Sequence, residues 1–368
     1  MNLPISSAIP AYEPGRRIHF EDFEISWAGE NPLNGEIYLG SYDGRCKSFD
    51  RPASSAPLSP SGEAVNGMAF SALPETAVAV STRSDVTFLV PDGRGDWHRA
   101  DYDGGAHGVI ATSSGGFIAP LGRNGLLTMK PVRGAGQILG RFQIDVAGNT
   151  INFYKLARCS GDGTKDLIVA AARKDGFAII EVNASEDRIE LGLSHFLRNP
   201  GLDIVDICSL ASPDWPRAVA WLGVDRSIHL SRDILQARPF KSLQIDGLRG
   251  KAYTVLHDRG HLFLLTSEAV YGFPDLASRF LSGEMRGDSL TVYSHYSKEY
   301  DDIYLHQNHL FLGKHGDIYR VPSESFPIGR DPESWQENSE PKSEFVEVPW
   351  ERSSKQEWSN DLLITPAA

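Results

Sequence analysis

The chain has no long hydrophobic run. No stretch of its 368 residues approaches the roughly 20 apolar residues that span a bilayer. Residues 1–17 hold no apolar segment of the signal-peptide kind, because Pro4, Pro10 and Pro14 interrupt them. Basic residues are also outnumbered, with 36 Lys and Arg against 48 Asp and Glu and a net charge of −12. We therefore expect no membrane partner and no nonspecific binding of nucleic acid over the whole surface.

Cysteine is scarce. Cys46, Cys159 and Cys208 are the three cysteines of the chain, and each lies in a different part of it. An odd number of widely spaced cysteines does not suit a disulfide framework. The pattern is typical of reduced thiols in a cytoplasmic protein.

Motifs of catalysis and cofactor binding are lacking too. The sequence contains no His-Glu-x-x-His, no paired-cysteine metal spacing, no Gly-x-Ser-x-Gly and no glycine-rich phosphate loop followed by Lys-Ser or Lys-Thr. We expect no cofactor and no catalytic residues. One alternative stays open, since Glu299, Asp301 and Asp302, with Asp203 and Asp206, could supply carboxylates to a metal-dependent propeller hydrolase or lactonase.

What the chain does contain is a repeat. Seven times an apolar strand runs into a tight polar turn, and a second apolar strand leaves it. The seven turns lie at 42–44, 82–85, 122–125, 173–176, 224–227, 266–268 and 314–317. Their mean spacing is about 45 residues, the period of propeller blades.

Each repeat can be divided into four strands. The second strand of a repeat is an almost continuous apolar run, as in 77–81, 167–171 and 218–222, which is typical of strands buried on both faces. The sequence therefore predicts an all-β protein, a seven-bladed β-propeller of four-stranded antiparallel blades, with six to eight blades as the possible range. The propeller would occupy residues 18–350, after an N-terminal extension (1–17) and before a C-terminal tail (351–368). Residues 345–349 are the predicted outer strand of the last blade.

This blade pattern resembles the WD-repeat superfamily of seven-bladed propellers over roughly residues 18–350. The family pairs Gly-His early in a repeat with Trp-Asp near its end. Here Gly260-His261 is the one Gly-His pair, and no Trp-Asp dipeptide occurs. The resemblance implies a rigid platform for protein partners without catalytic activity.

Residues 158–170 resemble a second known pattern, the calcium loop of the integrin-type FG-GAP repeat. Asp162 and Asp166 match its carboxylates and Ser160 could add a hydroxyl, whereas Arg158 stands where the leading carboxylate would be. Oxygen ligands at this spacing suit Ca²⁺. The alternative is an Asp-Gly turn fixed by its own hydrogen bonds, with Arg158 taking the place of the ion.

Basic residues recur in the predicted hairpin turns and in the loops that enter the innermost strands. In a propeller these segments open on one face and could attract an acidic ligand. The predicted partner-binding residues are Arg83, His107, Arg123, Arg173, Lys174, Arg226, Arg249, Lys251, Lys314 and His315. The same turns carry Asp43, Asp175, Asp225, Glu268 and Asp317, so these charges could also be merely solvated.

The sequence therefore predicts a non-catalytic scaffold, adaptor or regulatory subunit that binds a protein partner with acidic segments on this face. Capture of phosphate or nucleic acid by the basic residues is a further alternative. The tail ends in Trp358 and Leu362-Leu363-Ile364, which could form a docking peptide or a frayed end.

Overall fold

A computed structural model gives the fold of the chain. It describes residues 17–19, 23–31, 35–49, 62–71, 77–91, 97–132, 136–146, 149–161, 165–185, 188–198, 203–235, 240–245, 250–258, 260–267, 269–273, 275–284, 293–296, 302–306, 309–314, 317–322 and 343–348. The chain divides into two compact units. The first unit is Ser26–Ile204 with Glu351–Ala368, and the second unit is Val205–Trp350 with Met1–Ile25.

The first unit is built from antiparallel sheets whose strands follow one another along the chain. Its strands, numbered after β1 (Arg17–His19) of the second unit, are β2 (Ile25–Asn31), β3 (Glu36–Ser41), β4 (Cys46–Ser48), β5 (Val65–Ser71), β6 (Ala77–Thr82), β7 (Asp85–Pro91), β8 (Trp97–Asp103), β9 (Ile110–Ala111), β10 (Phe117–Pro120), β11 (Leu126–Val132), β12 (Gly136–Phe142), β13 (Asp145–Val146), β14 (Asn149–Thr150), β15 (Phe153–Gly161), β16 (Lys165–Ala172), β17 (Gly176–Ala184) and β18 (Ile189–Arg198). They form the sheets β2–β4, β5–β8, β9–β12 and β15–β18, with the hairpin β13–β14.

The second unit repeats this plan and adds a short helix. Its further elements are β19 (Ile204–Ser209), β20 (Val219–Gly223), β21 (Ile228–Ser231), β22 (Phe240–Ile245), β23 (Ala252–Asp258), β24 (His261–Thr266), β25 (Ala269–Phe273), α1 (Leu276–Ser282), β26 (Tyr293–Tyr296), β27 (Asp302–His306), β28 (His309–Lys314), β29 (Asp317–Pro322) and β30 (Ser343–Val348). Three sheets result, namely β19–β22 extended by β30, β23–β26, and β27–β29 extended by β1.

Buried second strands with small side chains explain how the sheets pack. In β16, residues 168–172 are all buried, and Ala170 and Ala172 lie in one cluster with Ile118 of β10 and Phe153 of β15. Alanines in the middle strand let a neighbouring sheet approach closely, while the larger residues fill the space between the sheets. The second unit has its own core, in which Leu222, Leu264 and Phe273 are buried.

The sheets have the predicted blade form, but their number differs from the prediction. In the parts of the chain that the structure describes, six sheets have at least four strands, whereas β2–β4 has three. The prediction of seven four-stranded blades is therefore corrected to six. A fourth strand after β4 would fall in residues 50–61, which lie outside the described residues and carry Pro52, Pro57 and Pro60.

Two edge strands also differ from the prediction. β30 pairs with β22, with Leu243 opposite Phe345, rather than with the sheet of β27–β29. That sheet is extended by β1, with Ile18 opposite Ile318. An edge strand pairs through backbone groups alone, so its sequence does not specify which edge it joins.

Candidate functional site

The predicted basic residues lie at the ends of strands, as the repeat indicates. Arg83, Arg123 and Lys174 are exposed in turns of the first unit, and Arg226 and Lys251 lie in a turn and an entry loop of the second unit. Arg226 has a φ of 70°, in the left-handed region. Arg249 and His315 fall outside the described residues, and for Lys314 the structure describes only the backbone of β28.

One connection in the first unit brings His107 to the β6–β7 turn. The segment from β8 to β9 crosses this turn, because Gly104 N–H donates to the Ser84 carbonyl at 2.9 Å and Ala106 N–H to the Thr82 carbonyl at 3.0 Å. A Cβ at Gly105 would stand 1.5 Å from the carbonyl oxygen of Arg83. Only glycine permits this crossing, which carries His107 to the side of the sheet where Arg83 is exposed.

The next sheets of the first unit repeat the arrangement. Phe153 N–H donates to the Gly122 carbonyl at 3.2 Å, and Ile204 N–H donates to the Arg173 carbonyl at 2.8 Å. The Arg173 guanidinium also pairs with Asp203, Nε to Oδ1, at 3.3 Å. Within this unit, the hairpin turns and the segments that enter the innermost strands are therefore in contact.

The cations of this region act on the His107 imidazole. His107 is exposed to solvent, yet partial desolvation of its ring lowers its pKa, and the charges of Lys155, Arg173 and Arg83 lower it further. The ring lies edge-on to Tyr154, with centroids 6.0 Å apart. We call Arg83, His107, Lys155 and Arg173 the cationic cluster. Its positive charges favour an anionic ligand.

Lys155 and Tyr154 were not predicted as site residues, because the predicted cations all came from hairpin turns and entry loops. Both residues lie on β15, between Phe153, which is fully buried, and Leu156. The available signal was a Tyr-Lys pair between the apolar residues Phe153 and Leu156 at the start of β15. A polar pair in an innermost strand indicates a face that is not covered by the core.

The turn aspartates make hydrogen bonds within their own turns. Asp43 accepts from Ser41 Oγ and pairs with Arg45 Nε at 2.6 Å. Burial alone would raise the pKa of Asp43, but these hydrogen bonds and the Arg45 charge hold it below its usual value. Asp85 likewise accepts from Thr82 Oγ1 at 2.5 Å. The carboxylates of Asp43 and Asp85 are thus hydrogen-bonded within their own turns, while the Arg83 and Arg123 side chains are exposed to solvent.

The predicted calcium loop is only partly described. Asp162 lies outside the described residues, and Ser160 is half-buried at the end of β15. Asp166 is buried, and its Oδ2 accepts a hydrogen bond from Ser113 N–H at 2.7 Å. Arg158 Nη1 donates to the Ala111 carbonyl at 3.2 Å rather than occupying an ion site. Across the described ranges, no three His, Cys, Asp or Glu residues group as metal ligands.

The carboxylates of the hydrolase alternative lie partly outside the described residues. Glu299 and Asp301 are outside them, and for Asp302 only the β27 backbone is described. Asp203 pairs with Arg173. Asp206 is buried on β19 and accepts hydrogen bonds from Thr254 Oγ1 and from Val255 N–H, the latter at 3.1 Å. Asp203 and Asp206 therefore have structural roles in the fold.

An Asp–Ser–His series in the second unit, in which Asp225 is exposed and Ser227 and His229 are buried, was also missed. Ser227 Oγ donates to Asp225 and lies 2.7 Å from His229 Nε2, and the His229 ring stacks on Trp221 with centroids 5.2 Å apart. The signal was the alternation of Asp225, Ser227 and His229, which places three polar side chains on one side of the chain.

This series does not activate a nucleophile. The hydroxyl of Ser227 has one proton, and the Asp225 carboxylate can only accept, so His229 Nε2–H must donate to Ser227 Oγ. Burial lowers the pKa of His229 to about 4, with the Asp225 charge opposing it, which keeps the ring neutral. A general base would instead take the serine proton. Ser227 and His229 are 3% and 2% exposed, so no substrate reaches them.

Aromatic side chains of the described residues have different surroundings. Tyr102 and Trp215 are half-buried, each beneath a guanidinium, with Arg141 at 5.4 Å and Arg232 at 5.2 Å from the ring centroids. Within the part of the chain that the structure describes, the exposed large apolar residues are Tyr42, Val224 and Tyr253. Tyr253 lies at 6.0 Å from Lys251 Nζ, so the turn side of the second unit also combines an apolar surface with a cation.

Comparison with solved structures identifies the fold. The structure is similar to the β-propeller domain of Cps50 (Swd1) from Myceliophteria thermophila, with a TM-score of 0.51 and 11% sequence identity over 83% of this chain and 99% of that chain. In all, 838 solved chains match, so the likeness identifies a common architecture. No family model matches the sequence, and no curated protein matches it at a significant level. The chain is thus a β-propeller with four-stranded antiparallel blades.

The helix content of the structure bears on membrane spanning. Among the residues described here, no helix is both long and apolar enough to cross a bilayer.

Proposed function

We propose that the protein is a non-catalytic interaction module, a scaffold or regulatory subunit, that binds an acidic segment of a protein partner at the cationic cluster. The observation that carries this proposal is the gathering of Arg83, Lys155 and Arg173 around His107. Arg173 is paired with Asp203, so three cations stand against this carboxylate, and the excess of positive charge attracts an anionic ligand. The likeness to another β-propeller supports a platform for partners only at the level of fold.

The test measures binding of a fluorescent decaglutamate peptide by polarisation. The variant Arg83→Glu/Arg173→Glu should reduce affinity at least tenfold at low salt, and the affinity of the wild type should fall as salt rises. The matched control is Arg99→Glu/Arg188→Glu, which changes the charge equally. Arg188 and Arg173 lie in segments of the same sheet, and each is paired with a carboxylate. Their side chains are 68% and 62% exposed, respectively. Arg188 differs in position, because it precedes Ile189 at the end of the sheet away from the β16–β17 turn.

Protonation of His107 gives a second readout. Because partial desolvation and the three cations lower its pKa, a bound carboxylate should raise it again, and binding should take up a proton. Affinity for decaglutamate should therefore increase between pH 8 and pH 6. The variant His107→Gln should lose this increase and keep the salt dependence.

Several outcomes would contradict the proposal. Equal loss in the control and in Arg83→Glu/Arg173→Glu would assign binding to net charge alone. Tighter binding of an oligonucleotide or of inorganic phosphate than of decaglutamate would favour the phosphate or nucleic-acid alternative. A rise in thermal midpoint with Ca²⁺ would favour the metal-dependent hydrolase. A docking role for residues 351–368 stays part of this proposal, because the tail lies outside the described residues. A cytoplasmic location of the protein is also part of it.

A further inference from the structure

Helix α1 of the second unit begins against the turn between β23 and β24. The Gly260 carbonyl accepts hydrogen bonds from Ala277 N–H at 2.9 Å and from Ser278 N–H at 3.2 Å. These N–H groups belong to the first helical turn and have no partner inside a helix. Asp275 precedes the helix with a φ of 51° and its side chain does not cap it. The β23–β24 turn therefore takes the place of an N-cap.

His257 holds Gly260 in this position. Gly260 N–H donates to His257 Nε2 at 3.2 Å, and His257 Nδ1 lies 3.1 Å from the Ser209 carbonyl oxygen. A ring that accepts at Nε2 and faces a carbonyl at Nδ1 is the neutral tautomer with its proton on Nδ1. A second proton, on Nε2, would remove the acceptor of Gly260 N–H.

His261 makes a similar contact with the residue before the helix. Its Nδ1 accepts a hydrogen bond from Asp275 N–H at 2.9 Å and lies 3.5 Å from Asp275 Oδ1. A proton on Nδ1 would replace this hydrogen bond by an ion pair with the Asp275 carboxylate, which keeps the ring beside the residue before the helix. The hydrogen bond that His257 accepts has no such replacement, because its donor is the Gly260 backbone N–H.

We propose that protonation of His257 detaches the first turn of α1 from the β23–β24 turn, which makes this contact a pH-sensitive element of the second unit. The ring takes one proton from solvent and gives up one accepted hydrogen bond, and no covalent bond changes. The detached turn exposes Leu276 and Ala277, which are buried at neutral pH in the core of the second unit. The proposal is independent of the cationic cluster.

The charges around the His257 ring determine the direction of the effect. Burial lowers the pKa of His257, the Ser209 carbonyl and the Asp258 carboxylate raise it, and His261 lowers it. The net shift is downward, so at pH 7 the ring is neutral and the helix is bound. Because the detached form binds more protons, acid favours detachment.

Among the described residues, Arg279, Arg232 and Glu284 lie toward the other end of the helix. Arg279 lies in its last turn, and Arg232 donates to the Phe280 carbonyl at 2.6 Å and 3.0 Å. Glu284 follows, and its N–H donates to the Arg279 carbonyl. None of these contacts involves an imidazole, so they hold the C-terminal end of α1 at either pH.

Amide hydrogen exchange of the full chain tests the proposal. Exchange of the segment 275–283, corrected for intrinsic rates, is followed from pH 7.5 to pH 5.0. We expect protection of the Ala277 and Ser278 amides to fall about tenfold or more, because a buried donor without its acceptor shifts a local opening equilibrium by that order. The amide of Leu264 in β24 should keep its protection. Unchanged protection of 277 and 278 overturns the proposal.

Variants distinguish protonation of the imidazole from a general loss of stability in acid. His257→Gln keeps an oxygen acceptor that does not titrate, and this variant should show pH-independent protection. His195→Asn, at an exposed histidine of the first unit, is the control and should behave as wild type. Persisting pH dependence in His257→Gln overturns the proposal. If that variant does not fold, NMR titration of the wild-type protein provides the test. The pH midpoint of the His257 ring is compared with the pH midpoint of the loss of amide protection, and different midpoints also overturn the proposal.

Discussion

Asp206 on β19 accepts a hydrogen bond from the backbone N–H of Val255 on β23 at 3.1 Å. This buried carboxylate joins two neighbouring sheets of the second unit. In the first unit, Asp166 does the same through Ser113 N–H at 2.7 Å. A charge-assisted bond to a backbone N–H is stronger than a neutral one, and it fixes the position of one sheet against the next.

The variant Asp206→Ala should lower the free energy of unfolding by about 3 kcal/mol, because it leaves a buried N–H without its acceptor. Asp206→Asn keeps one acceptor and should cost about 1 kcal/mol. Urea unfolding followed by circular dichroism measures both. The exposed Asp214 provides a control, since Asp214→Ala should change stability by no more than about 0.5 kcal/mol. Equal stability of Asp206→Ala and wild type would show that the sheets do not depend on this contact.

Stability should fall with acid because of His229. Burial lowers its pKa to about 4 in the folded protein, whereas the unfolded value is about 6.5. Between these values the unfolded chain binds the proton and the folded protein does not, so stability falls as pH decreases from 6.5 to 4. The full effect is about 3 kcal/mol.

Urea unfolding at pH 7 and pH 4.5 measures this loss. The variant His229→Gln should be less stable than wild type at pH 7, because the stacking on Trp221 is lost, but its stability should depend less on pH. The same pH dependence in variant and wild type would exclude His229 as the responsible group.

The three thiols should differ in reactivity. None of them forms a disulfide, Cys46 and Cys159 are buried, and Cys208 is half-buried. Burial and the Asp43 charge raise the pKa of Cys46 to about 12, so it holds almost no thiolate at pH 8. Under native conditions, a maleimide should label Cys208 first, as peptide mass spectrometry can establish. Cys208→Ser should abolish the fast phase, and equal labelling of all three would contradict the described burial.

The repeat in the sequence was sufficient to predict the sheets. Second strands such as Ala77–Thr82 and Lys165–Ala172 are long apolar runs between polar turns, and both are central strands of the structure. Their burial on both faces leaves a strong pattern in the sequence. The edge strands were predicted less well, since β30, expected at the outer edge of the last blade, pairs with β22 instead.

The candidate site was predicted in its turns and missed in its strand. Arg83 and Arg173 lie in turns that the repeat itself marks, whereas Lys155 lies on strand β15, outside any turn. The series of Asp225, Ser227 and His229 was missed because no dipeptide marks it. Contacts between sheets depend on register and twist, which a local pattern does not specify.

The last prediction links the fold to the proposed site through Gly105. The variant Gly105→Ala places a Cβ 1.5 Å from the Arg83 carbonyl oxygen, which is backbone and cannot rotate away. The segment from β8 to β9 must then move off the β6–β7 turn, and His107 moves with it. We expect a loss of about 2 kcal/mol or more in stability and a weaker affinity for decaglutamate.

Gly192→Ala is the matched control, because its Cβ would meet only the Glu181 carbonyl at 4.0 Å. It should leave both stability and affinity close to wild type. Thermal unfolding and fluorescence polarisation on the same preparations separate the two effects. If Gly105→Ala is destabilised but binds decaglutamate as wild type does, then this crossing contributes to the fold and His107 does not need it to meet the ligand. If Gly105→Ala loses affinity at a temperature where it is fully folded, then the close contact with Arg83 positions the cationic cluster.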